Sequence, residues 1–204
     1  MRVGVLSDTH MPVRAKSLPD VVLEALTEVD LVLHAGDIVS AEVLDALRGF
    51  APVVAVAGNC DPAQIQADLG KATLIQLTEH SVSIGITHGD LGRGQTPARS
   101  LRVFTDNPTN PTDLAIRRLS FDGVKLTPHG GNRADYLDET AHCVVFGHTH
   151  SPYCRYHQGI LLFNPGSPTD RRWSPYCTYG ILHISDDESN HRRVEGEIIR
   201  VERA

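Results

Sequence analysis

Seven side chains in five short stretches have the types and spacing of a divalent-metal centre. Asp8-Thr9-His10 follows the apolar run Val3-Gly4-Val5-Leu6, and Gly147-His148-Thr149-His150 follows Cys143-Val144-Val145-Phe146. Gly36-Asp37, Gly58-Asn59-Cys60-Asp61 and His88-Gly89 end three further apolar runs. Side chains alternate along a strand, so Asp8 and His10, or His148 and His150, can aim at one object. Two cations held close together repel, and Asp37 has two carboxylate oxygens with which to bridge them. Asp8 adds a second carboxylate, and Asn59 a neutral carbonyl oxygen. His10, His88, His148 and His150 add imidazole nitrogens. Such a set suits Mn, Fe, Co, Ni or Zn better than Mg or Ca. A water bridging two such ions loses its proton near neutral pH. It is then placed for in-line attack on phosphorus, while the ions stabilise charge on the transferred group. Taken singly, each stretch is as well explained by turn and capping chemistry; the joint pattern carries the metal reading.

The elements that must position these residues can be read in order. Arg2 to Ser7 reads as a buried strand. Pro19 to Glu28 reads as a helix, with Pro19 at its first position and Val22, Leu23, Leu26 and Val29 at helical spacing. Asp30 to Leu33 is a second strand. Ser40 is a candidate N-cap for a helix over Glu42 to Arg48, closed by Gly49, and Pro52 to Ala57 is a third strand. This alternation predicts an α/β sheet with parallel pairing, whose ligands sit beyond the carboxyl ends of the strands. Ala72 to Thr78 and Ser81 to Thr87 read as two strands joined by a turn near Glu79-His80. Residues 91–132 read as an insertion with some structure of its own, a flap or dimer contact, with a helix over Asp113 to Leu119. A further helix is expected over Ala134 to Thr140. After the strand Cys143 to Phe146, Tyr153 to His157, Ile160 to Phe163, Cys177 to Ile184 and Val194 to Val201 form a mostly antiparallel run. Turns at Gln158-Gly159 and Asp186-Asp187 fit hairpins. The whole, residues 1–204, reads as one domain.

Composition narrows the classes. With 204 residues, 41% apolar and 22% charged, the chain can bury a sizeable core. A net charge of −6 argues against non-specific nucleic-acid binding. Cys60, Cys143, Cys154 and Cys177 form no CxxC pair, as expected of free thiols in a reducing compartment. No stretch approaches the roughly 20 apolar residues of a membrane span. The first strand begins almost at Met1, and a cytoplasmic location is the expectation.

The five stretches, in this order, closely resemble the marks of the calcineurin-like metallophosphoesterases, and most closely the small YfcE-like phosphodiesterases. Thr87 before His88-Gly89, and the stretch Asn164-Pro165-Gly166-Ser167, match as well. The resemblance covers most of the chain except roughly residues 91–132. It implies a four-layer αββα sandwich of two mixed β-sheets. It also implies one ion held by Asp8, His10, Asp37 and His150, and another by Asp37, Asn59, His88 and His148. The implied activity is hydrolysis of a small phosphate ester, a phosphodiester first, with Mn the first metal to test. A phosphomonoesterase or nucleotide hydrolase of the same fold is the alternative. A third reading is a protein-binding module, since a scaffold protein of retromer shares this fold. Where many relatives carry a histidine after the Asn, this chain has Cys60, a poor acid for a leaving group. The long gap between His88 and His148 leaves substrate access and a homo-oligomeric state open.

Other polar residues carry weaker signals. His34 reads as a hydrogen-bonded core histidine, with a role in orienting Asp37 as the alternative. Cys60 reads as an inert, half-buried thiol and Asp61 as a turn or cap residue. Arg93, Arg99 and Arg102 can clamp phosphate but fit a solvated face better. His129-Gly130-Gly131 fits a flap less well than a plain loop. For Arg171-Arg172-Trp173, a packed tryptophan with solvated arginines explains the sequence as well as a rim does.

Overall fold

Alternation along the strands decides which layer each side chain joins. In β1 (Arg2–Leu6), Val3 and Val5 point to one side while Leu6 points to the other. A computed structural model describes residues 1–105, 116–128, 141–185 and 193–202. Along it follow α1 (Asp20–Leu26), β2 (Leu31–His34), α2 (Ala41–Arg48), β3 (Val53–Ala55), α3 (Ala63–Leu69), β4 (Ala72–Leu77), β5 (Val82–Thr87) and α4 (Thr96–Thr105). The second half holds β6 (Ile116–Phe121), β7 (Leu126–Pro128), β8 (Cys143–Val145), β9 (Tyr153–His157), β10 (Ile160–Asn164), β11 (Thr178–Ile184) and β12 (Val194–Arg200). They form a sheet ordered β12-β11-β1-β2-β3 and another ordered β7-β6-β4-β5-β8-β10-β9, each mixing parallel and antiparallel pairs.

Val3, Val5, Leu31 and Leu33 of the first sheet pack with Ile84, Ile86, Val145 and Phe163 of the second in one buried core. Leu6 and Val32 face away from that core, onto Val22 and Leu26 of α1 and Val43 and Leu47 of α2. Leu74, Val144 and Leu162 face outward on the other side, with Leu101 and Phe104 of α4 over them. The layers are therefore helix, sheet, sheet, helix, the αββα sandwich expected. Among the described residues no helix is long and apolar enough to cross a membrane.

The parallel strands bring the polar stretches level. Leu6, His34 and Ala55 are register partners in the first sheet, and Ile86, Val145 and Phe163 in the second. The residues that follow each of them thus emerge at one height.

Ser40 caps α2 by accepting from the Glu42 N–H, and Gly49 closes it, as expected. The helix expected over Asp113 to Leu119 is corrected: from Ile116 onward the chain is the strand β6, parallel to β4 with Ala72 opposite Ile116 and Leu77 opposite Phe121. Ile116 and Leu119 have helical spacing, but ladder bonds to β4 outweigh that local preference. Arg117 adds a donor from Nη2 to the Ala55 carbonyl (2.8 Å), tying β6 to the other sheet. The helix α3 was not expected, because it is one short stretch with only Ile65 buried. The helix at Ala134 to Thr140 and the turn at Asp186-Asp187 fall outside the described residues.

Phe163 crosses the sheet interface and lies where a side chain on Gly180 would stand. A Cβ at Gly180 would come 2.5 Å from the Phe163 ring. Gly180→Ala is expected to lower the unfolding free energy by about 1–3 kcal/mol in urea denaturation, through overpacking. Adding Phe163→Leu should recover part of that loss; strictly additive losses would show that the ring is not the obstacle.

Candidate metal centre

The strands stop before the ligand candidates do. Five of those candidates then take left-handed backbone: Asp8 (φ 54°), His10 (φ 44°), Asp37 (φ 55°), His148 (φ 70°) and His150 (φ 57°). Such values are uncommon outside glycine, with Asp, Asn and His the most tolerant, and they persist only where the surroundings hold them. Asp8 and His10 thus meet at the centre through consecutive reversals of the chain, not through strand alternation as the sequence reading supposed. The Asp8 N–H donates to the Gly36 carbonyl (2.9 Å) and the His10 N–H to the Asp37 carbonyl (3.0 Å).

The structure brings all seven candidates together. His150 Nε2 lies 3.3 Å from Asp8 Oδ1, and His10 Nε2 lies 3.2 Å from His150 Nε2. Asp37 Oδ2 stands between His10 Nε2 (3.6 Å) and His88 Nε2 (3.4 Å). His148 Nδ1 is 3.0 Å from Asn59 Oδ1, and its ring meets that of His88 edge-on with centroids 5.2 Å apart. Asp8, His10 and His150 therefore occupy one side, and Asn59, His88 and His148 the other, with Asp37 in the middle.

Hydrogen bonds at the far nitrogens decide what the near ones present. His88 Nδ1 donates to the Ala35 carbonyl (2.7 Å), and His150 Nδ1 donates to the Asp170 carbonyl. Each Nε2 is then a bare lone pair pointed at a carboxylate. Asp8 Oδ1 and His88 Nε2, on fully buried residues, have no hydrogen-bond partner. Lone pairs that face one another in a buried site repel unless a cation or proton lies between them. Without a cation a proton takes the place. Burial pushes His88 down, yet a proton on Nε2 would face the carboxylates of Asp37 and Asp8, and these raise it to about 9. Burial would raise the Asp37 carboxyl, but His88 and the Cys60 N–H hold it well below the ordinary range. His10 and His148 are pushed down, first by burial, and are neutral imidazoles ready to ligate. The donor set thus fits divalent metal ions.

Asp61 is the turn residue expected, with a wider reach. Its Oδ1 accepts from Ile38 N–H and Val39 N–H (both 2.7 Å), and its Oδ2 from Gly58 N–H (2.8 Å) and Asp37 N–H (3.1 Å). One buried carboxylate so fixes the loops after β2 and β3 together. Gly147 answers a similar need: a Cβ there would overlap Ser7 Oγ and crowd Asp8 Oδ2 to 2.7 Å. That close approach lets the His148 N–H reach Asp8 Oδ2 (3.0 Å).

The other flagged residues divide. His34 is a core histidine, fully buried. Its Nδ1 accepts from Gly36 N–H (3.3 Å) and its Nε2 meets Thr9 Oγ1 (3.2 Å), so it orients those neighbours and not the Asp37 carboxylate. Cys60 is exposed, not half-buried, and burial of its inner side together with Asp37 pushes its thiol up to about 11. Arg102 donates to the Arg93 carbonyl (2.6 Å) on the surface, while the charge of Arg99 lowers His148. His129, Gly130 and Gly131 lie outside the described residues. Trp173 is not packed at all; it is 95% exposed.

Several supporting residues escaped the sequence reading. Ser167 Oγ donates to the Asp8 carbonyl (2.8 Å), Thr169 Oγ1 to the Thr9 carbonyl (2.6 Å) and Ser174 Oγ to the His150 carbonyl (3.1 Å). Asn164 Nδ2 donates to the Gly147 carbonyl (2.9 Å). The one signal for them was the Asn164-Pro165-Gly166-Ser167 stretch.

A two-sheet sandwich with carboxylates and imidazoles gathered at its strand ends defines a candidate metal centre. A family model described as the calcineurin-like phosphoesterase superfamily domain matches residues 1–187. A probable metallophosphoesterase of Methanothermobacter thermautotrophicus is 32% identical over 201 residues, 98% of this chain and 92% of that protein. The chain belongs to the calcineurin-like phosphoesterase superfamily. Two solved structures share its fold. Vps29 of Entamoeba histolytica in complex with Zn2+ aligns with TM-score 0.61 and 23% identity over 98% of this chain and 99% of that one. An archaeal phosphodiesterase aligns with TM-score 0.58 and 19% identity over 98% of this chain and 100% of that one.

Replacing Asp61 with Asn turns an acceptor oxygen into a donor facing backbone N–H groups. Asp61→Asn is expected to cost at least about 2 kcal/mol in urea unfolding and to reduce bound metal in elemental analysis. His34 supplies a pH test. Burial pushes it down to about 4 from 6.5, so between those values the unfolded chain binds the extra proton. Stability is therefore lost as pH falls from 6.5 to 4, by roughly 3 kcal/mol for this group. Unfolding free energies measured across that window should fall by about that much more in wild type than in His34→Gln.

Proposed function

We propose that the chain is a phosphodiesterase that holds two divalent ions, one by Asp8, His10, Asp37 and His150 and the other by Asp37, Asn59, His88 and His148. The observation that carries this reading is the pair of buried, unpartnered atoms, Asp8 Oδ1 and His88 Nε2, flanking a centre in which Asp37 Oδ2 is shared. When bound, the ions supply Lewis acidity and a water deprotonated near neutral pH. The chain's residues fix where that chemistry happens. The Ala35 and Asp170 carbonyls hold His88 and His150 with Nε2 inward, and Asp61 holds the backbone that carries Asp37. Cys60, with its proton held to about pH 11, is a weak donor to a leaving group. Aryl phosphodiesters, which leave without protonation, are therefore the natural first substrates, and likeness to an archaeal phosphodiesterase supports a diester over a monoester.

A second reading is a protein-binding module, favoured by the whole-length likeness to Vps29. Both are tested with protein stripped by chelator and reloaded with Mn2+. Two ions per chain, and faster hydrolysis of bis-p-nitrophenyl phosphate than of p-nitrophenyl phosphate, are expected. Asp37→Ala should lose bound metal and more than about 100-fold in rate, beyond what loss of a supporting hydrogen bond costs. Faster monoester hydrolysis would favour a phosphomonoesterase. Metal binding without turnover on either ester would leave the binding module.

A further inference from the structure

The loop Ser167 to Ser174 is fastened to the candidate centre at every turn but one. Ser167 Oγ, Thr169 Oγ1 and Ser174 Oγ donate to the carbonyls of Asp8, Thr9 and His150, and the Asp170 carbonyl accepts from His150 Nδ1. Arg171 Nη1 closes the loop on the Ser174 carbonyl (2.9 Å). Arg14, four residues beyond His10, pairs with Asp170 (3.2 Å) and joins the loop after β1 to this one. Between those fixings the chain pushes Arg172 and Trp173 outward. Arg172 has left-handed backbone (φ 44°), and Trp173 is 95% exposed, the most exposed large apolar side chain described.

A single exposed apolar side chain is ordinary; what sets this one apart is the loop beneath it, tied to both the ring and the carbonyl of His150. One indole offers roughly 150–250 Å², far below the about 800 Å² per partner of a stable self-interface. Of the other exposed apolar side chains, Phe50 precedes β3 and Val124 follows β6, at the opposite end of the sheets from the centre, while Val13 (71% exposed) follows His10 by three residues and lies on the centre's side. Among the described residues Val13 and Trp173 together remain far short of a stable self-interface. The neighbours of Trp173 are guanidinium groups on a chain of net charge −6. The charge of Arg172 acts on both His10 and Cys60, which puts it on the His10 side of the site. An aromatic side chain next in sequence to a cation that acts on the site is a pairing that can take a base and its phosphate together.

We infer that this loop selects the substrate's organic side: Trp173 stacks on the nucleobase of a nucleotide phosphodiester while Arg172 faces its phosphate. This rests on the phosphoesterase reading above and adds the substrate class to it.

Trp173 is the only tryptophan, so its emission reports directly on what covers it. With the Mn2+-loaded full chain, AMP is expected to quench that emission saturably, while ribose 5-phosphate at the same concentrations leaves it unchanged. In turnover, thymidine 5′-p-nitrophenyl phosphate should exceed methyl p-nitrophenyl phosphate by about tenfold in kcat/KM, since the two share a leaving group and differ in the base. Trp173→Ala should erase that preference through KM and leave the methyl ester alone, and Trp173→Phe should restore much of it. Equal quenching by both phosphates, no quenching, or emission that depends on protein concentration would overturn the inference. Equal loss on both esters in Trp173→Ala would do so too, since it marks a structural role. Failure of the wild type to hydrolyse either ester refutes the phosphodiesterase reading instead, and the AMP titration then still decides the rim.

Discussion

Buried lone pairs that point at one another are what the rest of this molecule is built to tolerate. His88 and His150 each spend Nδ1 on a backbone carbonyl and turn Nε2 toward a carboxylate. Two carboxylates share the space with them, and one of these has an oxygen with no donor. In a low-dielectric interior such a group of acceptors is unstable by itself, because each atom has left water without gaining a partner. A divalent cation converts the same arrangement into ligand bonds. The polar centre and its occupant are thus one design, and the fold's task is to keep the acceptors from turning away.

Sheet geometry supplies the first part of that restraint. Parallel strands in register end together, so loops from two sheets meet without long connections. The core between the sheets fixes how they face each other. Helices on the outer faces bury what the alternation leaves over, and contribute nothing to the ligand set. Left-handed backbone at five candidate ligands is the second restraint. It is held by carbonyls of the loop after β2, by hydroxyls of the loop after β10, and above all by Asp61, whose carboxylate takes four backbone N–H groups.

What could be read before the fold was known follows from this division. Strand-end clusters such as Asp8-Thr9-His10 stand out in sequence, because charged and imidazole groups interrupt apolar runs. The two-sheet sandwich was implied by resemblance and matches the layers observed. The local reason for convergence was misread, since i and i+2 spacing does not distinguish strand alternation from successive left-handed turns. Ile116 and Leu119 looked helical because a spacing of three fits a helix, and no local signal announces that β4 waits as a partner. Ser167 shows in the sequence only as part of a matching stretch, and Thr169 and Ser174 not at all, because a hydroxyl that donates to a distant carbonyl has no sequence mark. For Trp173 the sequence leaves packing and exposure equally open, and only tertiary placement reveals it bare.

The same tension between fixing and exposure separates chemistry from choice in this chain. Asp8, His88 and His150, which aim at the centre, are over-determined and each at most 1% exposed. A side chain so placed can be tuned for charge but not for the shape of a substrate. Selection must come from groups that remain in solvent yet do not wander, and few positions satisfy both demands. Arg172 and Trp173 do, because the hydrogen bonds that hold His150 also hold the two ends of their loop. A loop tied to the ligands presents its rim at a constant position relative to the reacting phosphorus. The backbone under Trp173 then needs no ordering on binding, and only the rotamer of the indole, 95% exposed, is left to fix.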